Sequence, residues 1–249
     1  MKLTELKNNK VVVARHENGD PAIGYLDIEN KKLVIPEVDA SKKLTLQPQW
    51  ENNEELHCIL MDGANDITLE IGNGYNKIDD DAFYGCSGFT GDLVIPDSVT
   101  SIGEEAFVSC SGFDGTLNIP GSVTNIGDYA FYLCSGFTGD LVIPDSVTYI
   151  GKEAFVGCKG FTDKLIIPKN VKEIGDYAFG WCDNFEEVYT LGDDCTISEK
   201  TFHDCKRLGT AFISRYANSG LFDYFDKCGI NINYFCDSLG KDVKIDMEH

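Results

Sequence analysis

The residues whose spacing first invites chemistry are thiols. Cys86, Cys110, Cys134, Cys158 and Cys182 follow one another every 24 residues, and Cys205 continues the series with one residue dropped. A thiolate is a nucleophile and a metal ligand, and 10 cysteines in a small secreted protein would read as a disulfide framework. The pattern supports none of these. No Cys-x-x-Cys occurs, and no Cys/His spacing fits a zinc site. Cysteines in one register of a repeat stack one above the next, so they are expected to be buried, reduced and inert, packing as small hydrophobes.

The other reactive side chains assemble no better. His16, His57, His203 and His249 are scattered, and none falls near a recurring Ser or Cys with a suitably spaced base. No HExxH, GxSxG or phosphate-loop motif occurs. Asp92 and Asp140, with Asp97 and Asp145, could suggest calcium, but Thr116, Gly121, Lys164 and Lys169 interrupt those columns. Repetition itself argues against catalysis, because a catalytic site needs unlike groups converging at one place. The expectation is therefore no enzyme, no metal and no cofactor. The formal charge of −20, from 21 basic and 41 acidic side chains, argues against nucleic-acid backbones and anionic membranes as partners. It suits a basic protein partner or a plain solvated acidic face. No apolar run is long enough to span a membrane. The opening MKLTELKNNKVVVARHENGD has no apolar signal-peptide core, so the chain as it stands is expected in the cytoplasm. Removal of an export signal would put it at the cell surface or outside the cell.

The elements that carry these residues are set by the period. CSGFTGDLVIPDSVTSIGEEAFVS from Cys86 recurs nearly unchanged from Cys110, Cys134 and Cys158, and a fixed period of this size marks a solenoid. Within the copy from Cys86 the apolar positions are Phe89, Leu93, Ile95, Val99, Ile102, Ala106 and Phe107. Leu93 and Ile95 alternate with their neighbours, which predicts a short strand over 92–95 ended by Pro96. A second extended piece follows over Val99 to Ile102, Gly103 turns the chain, and Glu104 to Ser109 is expected as one helical or 3₁₀ turn. Three side-chain ladders should result. Phe83, Phe107, Phe131, Phe155, Phe179 and Phe202 form one, and Ile78, Ile102, Ile126, Ile150, Ile174 and Ile197 another. The third is Phe89, Phe113, Phe137, Phe161 and Phe185, continued by Leu208.

The repeats weaken at both ends, as end coils must where they meet a cap. Residues 66–83 put Gly72, Tyr75 and Asp79 at the Pro, Val and Gly positions. Residues 184–205 are one shorter and put Leu191, Asp194 and Ser198 there. Residues 1–61 are read as a β-rich cap or small domain with strands over 11–16, 21–29 and 31–36, and with Trp50 and Leu56 as anchors. Residues 62–214 hold the repeats. Residues 215–249 are read as a capping helix over Arg215 to Lys227, a closing strand over Ile230 to Phe235, and a polar tail.

The motif Leu-x-Ile-Pro-x-x-Val-x-x-Ile-Gly-x-x-Ala-Phe-x-x-Cys-x-x-Phe, running through about residues 66–213, resembles the BspA-type leucine-rich repeat of bacteria and protists. The resemblance implies an α/β repeat fold. That fold is a right-handed superhelix with short parallel strands on its concave face, a second extended segment and one short helical turn per coil. It also implies a binding role, often adhesion.

Candidate binding residues are those that vary where the scaffold does not. Between the two inward strand residues, the outward column reads Glu70, Val94, Asn118, Val142, Ile166, Tyr189 and Phe212, and its neighbour column includes Asp92 and Asp140. An apolar strip with a polar rim marks an interaction site, unless a flanking segment covers it or these residues are there as strand formers. Tyr129, Tyr177 and Trp181, with Tyr132 and Tyr149, form a second candidate on the turn edge, where packing between adjacent coils is the competing reading. Two functions follow: a non-enzymatic protein-binding scaffold, or a surface adhesin that recognises host matrix or glycans. The partner's identity and the oligomeric state are left open.

Overall fold

A 24-residue segment carrying apolar side chains on every edge cannot cover them alone, and it becomes stable by lying flat against a copy of itself. The computed structural model describes residues 6–15, 20–190, 192–198, 200–214 and 217–234, the side chain of Asp163 aside. It shows successive coils stacked in this way. One side is a series of parallel pairings, with a register shift between Asp163 and Lys164. Thr68–Ile71 leads through Leu93–Val94 paired with Leu117–Asn118, then through the single bridge between Val142 and Ile166. The ladder ends in Asp163–Ile167, Phe185–Thr190, Thr210–Ile213 and Asn231–Tyr234. A second side is a seven-stranded parallel sheet running from Leu44–Leu46 through Tyr75–Ile78, Ser101–Ile102, Asn125–Ile126, Tyr149–Ile150 and Glu173–Ile174 to Thr196–Ile197.

The third side corrects one expectation. Glu104 to Ser109 and its copies form tight turns and not a helical or 3₁₀ turn. Glu105 and Ser109 take positive φ, as do Tyr129, Leu133, Tyr177 and Trp181 in later coils. This aims alternate N–H groups at the next coil: Glu105, Phe107 and Ser109 donate to the carbonyls of Asp128, Ala130 and Tyr132 at 2.7–2.9 Å. A helical turn would direct those N–H groups back into its own coil and leave this side without rungs. The repeated glycine is likewise explained by proximity. A Cβ on Gly127 would stand 2.6 Å from the Gly103 carbonyl carbon, and one on Gly151 2.5 Å from the Asp128 nitrogen.

Inside the coils the expected ladders are present. Phe83, Phe107, Phe131, Phe155, Phe179 and Phe202 stack with ring centroids 5.2–5.5 Å apart. Phe89, Phe113, Phe137 and Phe161 stack at 5.3–5.7 Å beside them. Both ends of the first stack are closed by aromatic rings. Trp50 meets Phe83 at 6.3 Å and donates its indole N–H to the Ala82 carbonyl at 2.8 Å. Phe225 meets Phe202 at 6.0 Å, and Tyr224 accepts the Phe202 N–H at its hydroxyl. The cysteine ladder is buried and free of disulfides. Cys110, Cys134, Cys158, Cys182 and Cys205 each donate a thiol to the carbonyl of a Phe in an earlier coil, at 3.0–3.2 Å.

The ends differ from the sequence reading in instructive ways. Lys32–Ile35 pairs in parallel with Thr68–Ile71 and Leu44–Leu46 with Tyr75–Ile78, so residues 32–46 already make a coil. The antiparallel strands Lys10–Arg15 and Pro21–Asp27 close its edge, and the helix Glu54–Leu60 carries the buried Leu56. Tyr75 replaces a repeat valine because its hydroxyl reaches the Pro36 carbonyl of that first coil at 2.9 Å. At the other end the pairing is already 23 residues apart at Lys164 and Glu187, so the dropped residue falls just after Phe185. Burial still puts Cys195, and not exposed Asp194, at the valine position, next to Thr196, whose N–H donates to Lys172 O. The capping helix is Ser219–Lys227, shorter than expected, because Asn218 is extended and accepts the Leu221 N–H as its N-cap. The last strand is Asn231–Tyr234. Leu191, Arg215, Tyr216, Phe235, His16, His249 and the polar tail lie outside the described residues.

Three outcomes are expected. Phe131→Ala removes a ring from the middle of the stack and costs about 3–5 kcal/mol in urea denaturation. Deleting residues 215–249 uncovers Phe202, and the truncated protein aggregates or loses cooperativity, read by sedimentation and melting. Burial raises the ladder thiols, Cys205 to about 12, whereas an unfolded cysteine ionises near ~8.5. Unfolding therefore releases protons at alkaline pH, and stability that is complete below about pH 8.5 falls as pH rises toward about 12. Each buried thiol contributes up to about 1.4 kcal/mol per pH unit. Urea midpoints between pH 7.5 and pH 10.5 should fall less steeply in Cys134→Ala than in the parent, and Cys134 should resist thiol reagents until the protein unfolds.

Candidate interaction face

The strand ladder positions the candidate residues by simple alternation. Leu93 is fully buried, so Val94 beside it points outward and is 53% exposed. Val142 is 55% exposed, and Asn118 between them is exposed as well. Within the column Val94 lies opposite Asn118, Val142 opposite Ile166, Ile166 opposite Tyr189, and Tyr189 opposite Phe212. Asp92 and Asp140 stand exposed on the same face, two residues before the valines. Asp92 accepts from the backbone N–H and the hydroxyl of Thr116 at 2.7 and 2.8 Å, and these bonds hold its carboxyl below the usual range.

The strip is not uniform. Ile166 and Tyr189 are only half-exposed. The Tyr189 ring lies parallel to Phe212 at 4.4 Å, and its hydroxyl donates to Glu187 at 2.7 Å. Lys164 sits 5.7 Å over the same ring and 3.8 Å from Glu187. Burial, with the Glu187 carboxylate, pushes the Tyr189 phenol up to about 12. The end of the column near Tyr189 is thus engaged with its own neighbours, and the open part is Val94, Asn118 and Val142.

The turn-edge residues do not form one patch. Tyr129 packs edge-on against Tyr132 at 5.8 Å, lies under Lys152 and donates to Glu153 at 3.3 Å. Tyr177 stacks on Trp181 at 5.7 Å within its own coil, and His203 meets both rings edge-on at 5.3 and 5.0 Å. Glu153 separates the two groups in the column, and Tyr149 belongs to neither, donating instead to Asp128 at 3.1 Å. The sequence reading did not single out His203, which follows Phe202 where Tyr132, Val156 and Gly180 follow the earlier phenylalanines. It also passed over Lys164 and Glu187 as site residues, although both continue the column of Asp92 and Asp140.

A cleft of about 310 Å³ opens between the last coil and the C-terminal helix, with His203, Asp204, Cys205, Tyr224 and Cys228 on its walls. Cys205 is held there as a neutral donor to the Phe179 carbonyl, which removes it as a nucleophile. Among the described residues, no three His, Cys, Asp or Glu side chains group as a metal site, and no helix is long and apolar enough to cross a membrane.

Solved structures share this fold. Among solved structures, the leucine rich repeat protein of T. pallidum superposes with a TM-score of 0.52 at 23% identity, over 84% of this chain and 94% of its own. A leucine-rich repeat protein from Bacteroides ovatus ATCC 8483 reaches 0.51 at 32% identity, over 64% of this chain and 41% of its own. The pneumococcal vaccine antigen PcpA reaches 0.51 at 16% identity, over 65% of this chain and 39% of its own. This chain thus spans about two fifths of the latter two proteins. No curated protein matches it. The family model for the BspA type leucine rich repeat region matches residues 63–140 and 137–242, in 6 copies. The chain, with its repeats covered nearly end to end by that model, belongs to the BspA-type leucine-rich repeat family.

Proposed function

We propose that this protein is a non-enzymatic scaffold that binds a protein partner across its strand face, with the strands Lys10–Arg15 and Pro21–Asp27 capping one end and the helix Ser219–Lys227 the other. The observation that carries this reading is the outward column. Val94 and Val142, 48 residues and two coils apart, are each more than half exposed beside the carboxylates Asp92 and Asp140. Exposed apolar side chains with a polar rim are what a docking surface offers, and the acidic rim favours a partner with basic groups.

The structure also selects the variants that test it. Val94→Asp with Val142→Asp changes two side chains that point away from the core, so melting should shift by no more than about 1 kcal/mol of stability. Ile166 is half-buried and less suited to this purpose. Affinity capture with the parent protein should retain a partner that the double variant loses. A folded double variant that retains the same partner moves the site elsewhere, with the Tyr177, Trp181 and His203 cluster next in line. A double variant that unfolds overturns the outward assignment itself.

A further inference from the structure

The outward face repeats over two coils and not one. The coil from Cys86 and the coil from Cys134 differ only at Ser101 against Tyr149, Glu104 against Lys152, and Ser109 against Gly157, none of them on the strand. The coil between them differs on the strand face itself, with Thr116 for aspartate, Asn118 for valine, and Gly121 for aspartate at the corner after the strand. Even the backbone alternates: Gly91 and Gly139 have φ of +78° and +76°, whereas Gly115 between them does not adopt positive φ. Asp92, Val94 and Asp97 are thus repeated by Asp140, Val142 and Asp145, all exposed, with neutral residues at those three positions between them and the exposed Asp114 two residues before Thr116. Stacked strands are about 4.8 Å apart, so the repeat along the solenoid axis is about 10 Å.

From this spacing we infer that the strand face binds a basic amphipathic α-helix laid along the solenoid axis, an inference that rests on the strand-face reading above. Seven helical residues rise about 10.5 Å, so apolar side chains at i and i+7 meet Val94 and Val142 together. The intervening turn, about 5.4 Å on, faces Asn118 and needs a small or polar residue there. Carboxylates flank the valines on both sides, Asp92 and Asp140 before them and Asp97 and Asp145 after. A helix about 10–12 Å across reaches both rows with Lys or Arg on either side of its apolar stripe. A β-strand does not match, since its same-side residues recur about every 6.7 Å and lose register by the second valine. The acidic rows give way to Lys164 and Lys169 in the next coil, and the basic flanks of the partner end there.

The test uses the full chain and labelled synthetic peptides in fluorescence anisotropy. One peptide is an Ala-rich helix with Leu at every seventh position and Lys on both sides of that stripe. A second has the same composition with the Leu positions scrambled, and a third is a polyproline peptide with Leu at every third residue and flanking Lys. The heptad peptide should bind at least about tenfold tighter than the scrambled one. Val94→Asp with Val142→Asp should abolish that preference. Asp140→Asn with Asp145→Asn should weaken binding about fivefold at low salt and much less at high salt. Equal binding of the scrambled peptide, or tighter binding of the polyproline peptide, overturns the helical partner. The strand-face reading itself stands in that case if the double aspartate variant still loses its captured partner. Undiminished binding of the heptad peptide to the Val94/Val142 variant overturns the strand face as the helix site.

Discussion

Everything in this protein depends on the contact between one coil and the next. A single coil exposes a phenylalanine edge that no part of the same coil can cover. The stack from Trp50 through Phe83, Phe107, Phe131, Phe155, Phe179 and Phe202 to Phe225 covers it, each ring against the next. Rings at centroid separations of 5.2–5.5 Å inside the stack match a backbone rise of about 4.8 Å only with a small offset. The same rise lets hydrogen bonds run between coils on three sides. The thiol ladder fits this geometry because a small, weak donor can sit behind each phenylalanine and bond to its carbonyl.

That arrangement decides where function can reside. Inward positions are fixed by stacking, and the glycine corners are fixed by backbone contact. What remains free to vary is the outward column of the strand ladder and the rim beside it. Side chains there inherit the register of the scaffold without contributing to its core. Interaction chemistry therefore takes the form of spaced rows, and the spacing is a property of the stack. Val94 and Val142 show such a row open to solvent, whereas Tyr189 and Phe212 show one that has turned to pack on itself.

The two ends show how a solenoid stops. At the start, the chain supplies a coil of its own making over residues 32–46, then covers it with an antiparallel pair and a helix. Asn53 fastens that closure, accepting the Leu56 N–H and donating to the carbonyls of Asn8 and Lys10. At the finish, Asn218 does similar work, capping the last helix and donating to the Cys195 carbonyl. In each case one asparagine joins a helix to the end of a sheet.

The sequence alone determined the architecture, because the 24-residue period repeats the inward positions so faithfully that each ladder can be written down from the residues. It also determined which column points outward, since strand alternation follows from Leu93 and Ile95. It did not reveal that residues 32–46 form a coil. There Leu33, Ile35, Leu44 and Leu46 keep the inward pattern, but the Val, Gly and Phe signature that marks a repeat is missing. It misplaced Asp194 for Cys195, because the residues before Ile197 depart from the repeat and only burial shows which of the two faces inward. It predicted a helical turn at Glu104 to Ser109, where inter-coil hydrogen bonds impose positive φ on Glu105 and Ser109 instead. Only the tertiary structure could separate open Val94 and Val142 from half-buried Ile166 and Tyr189. Exposure at those positions depends on what neighbouring side chains do, and a column of residues in a repeat carries no record of that.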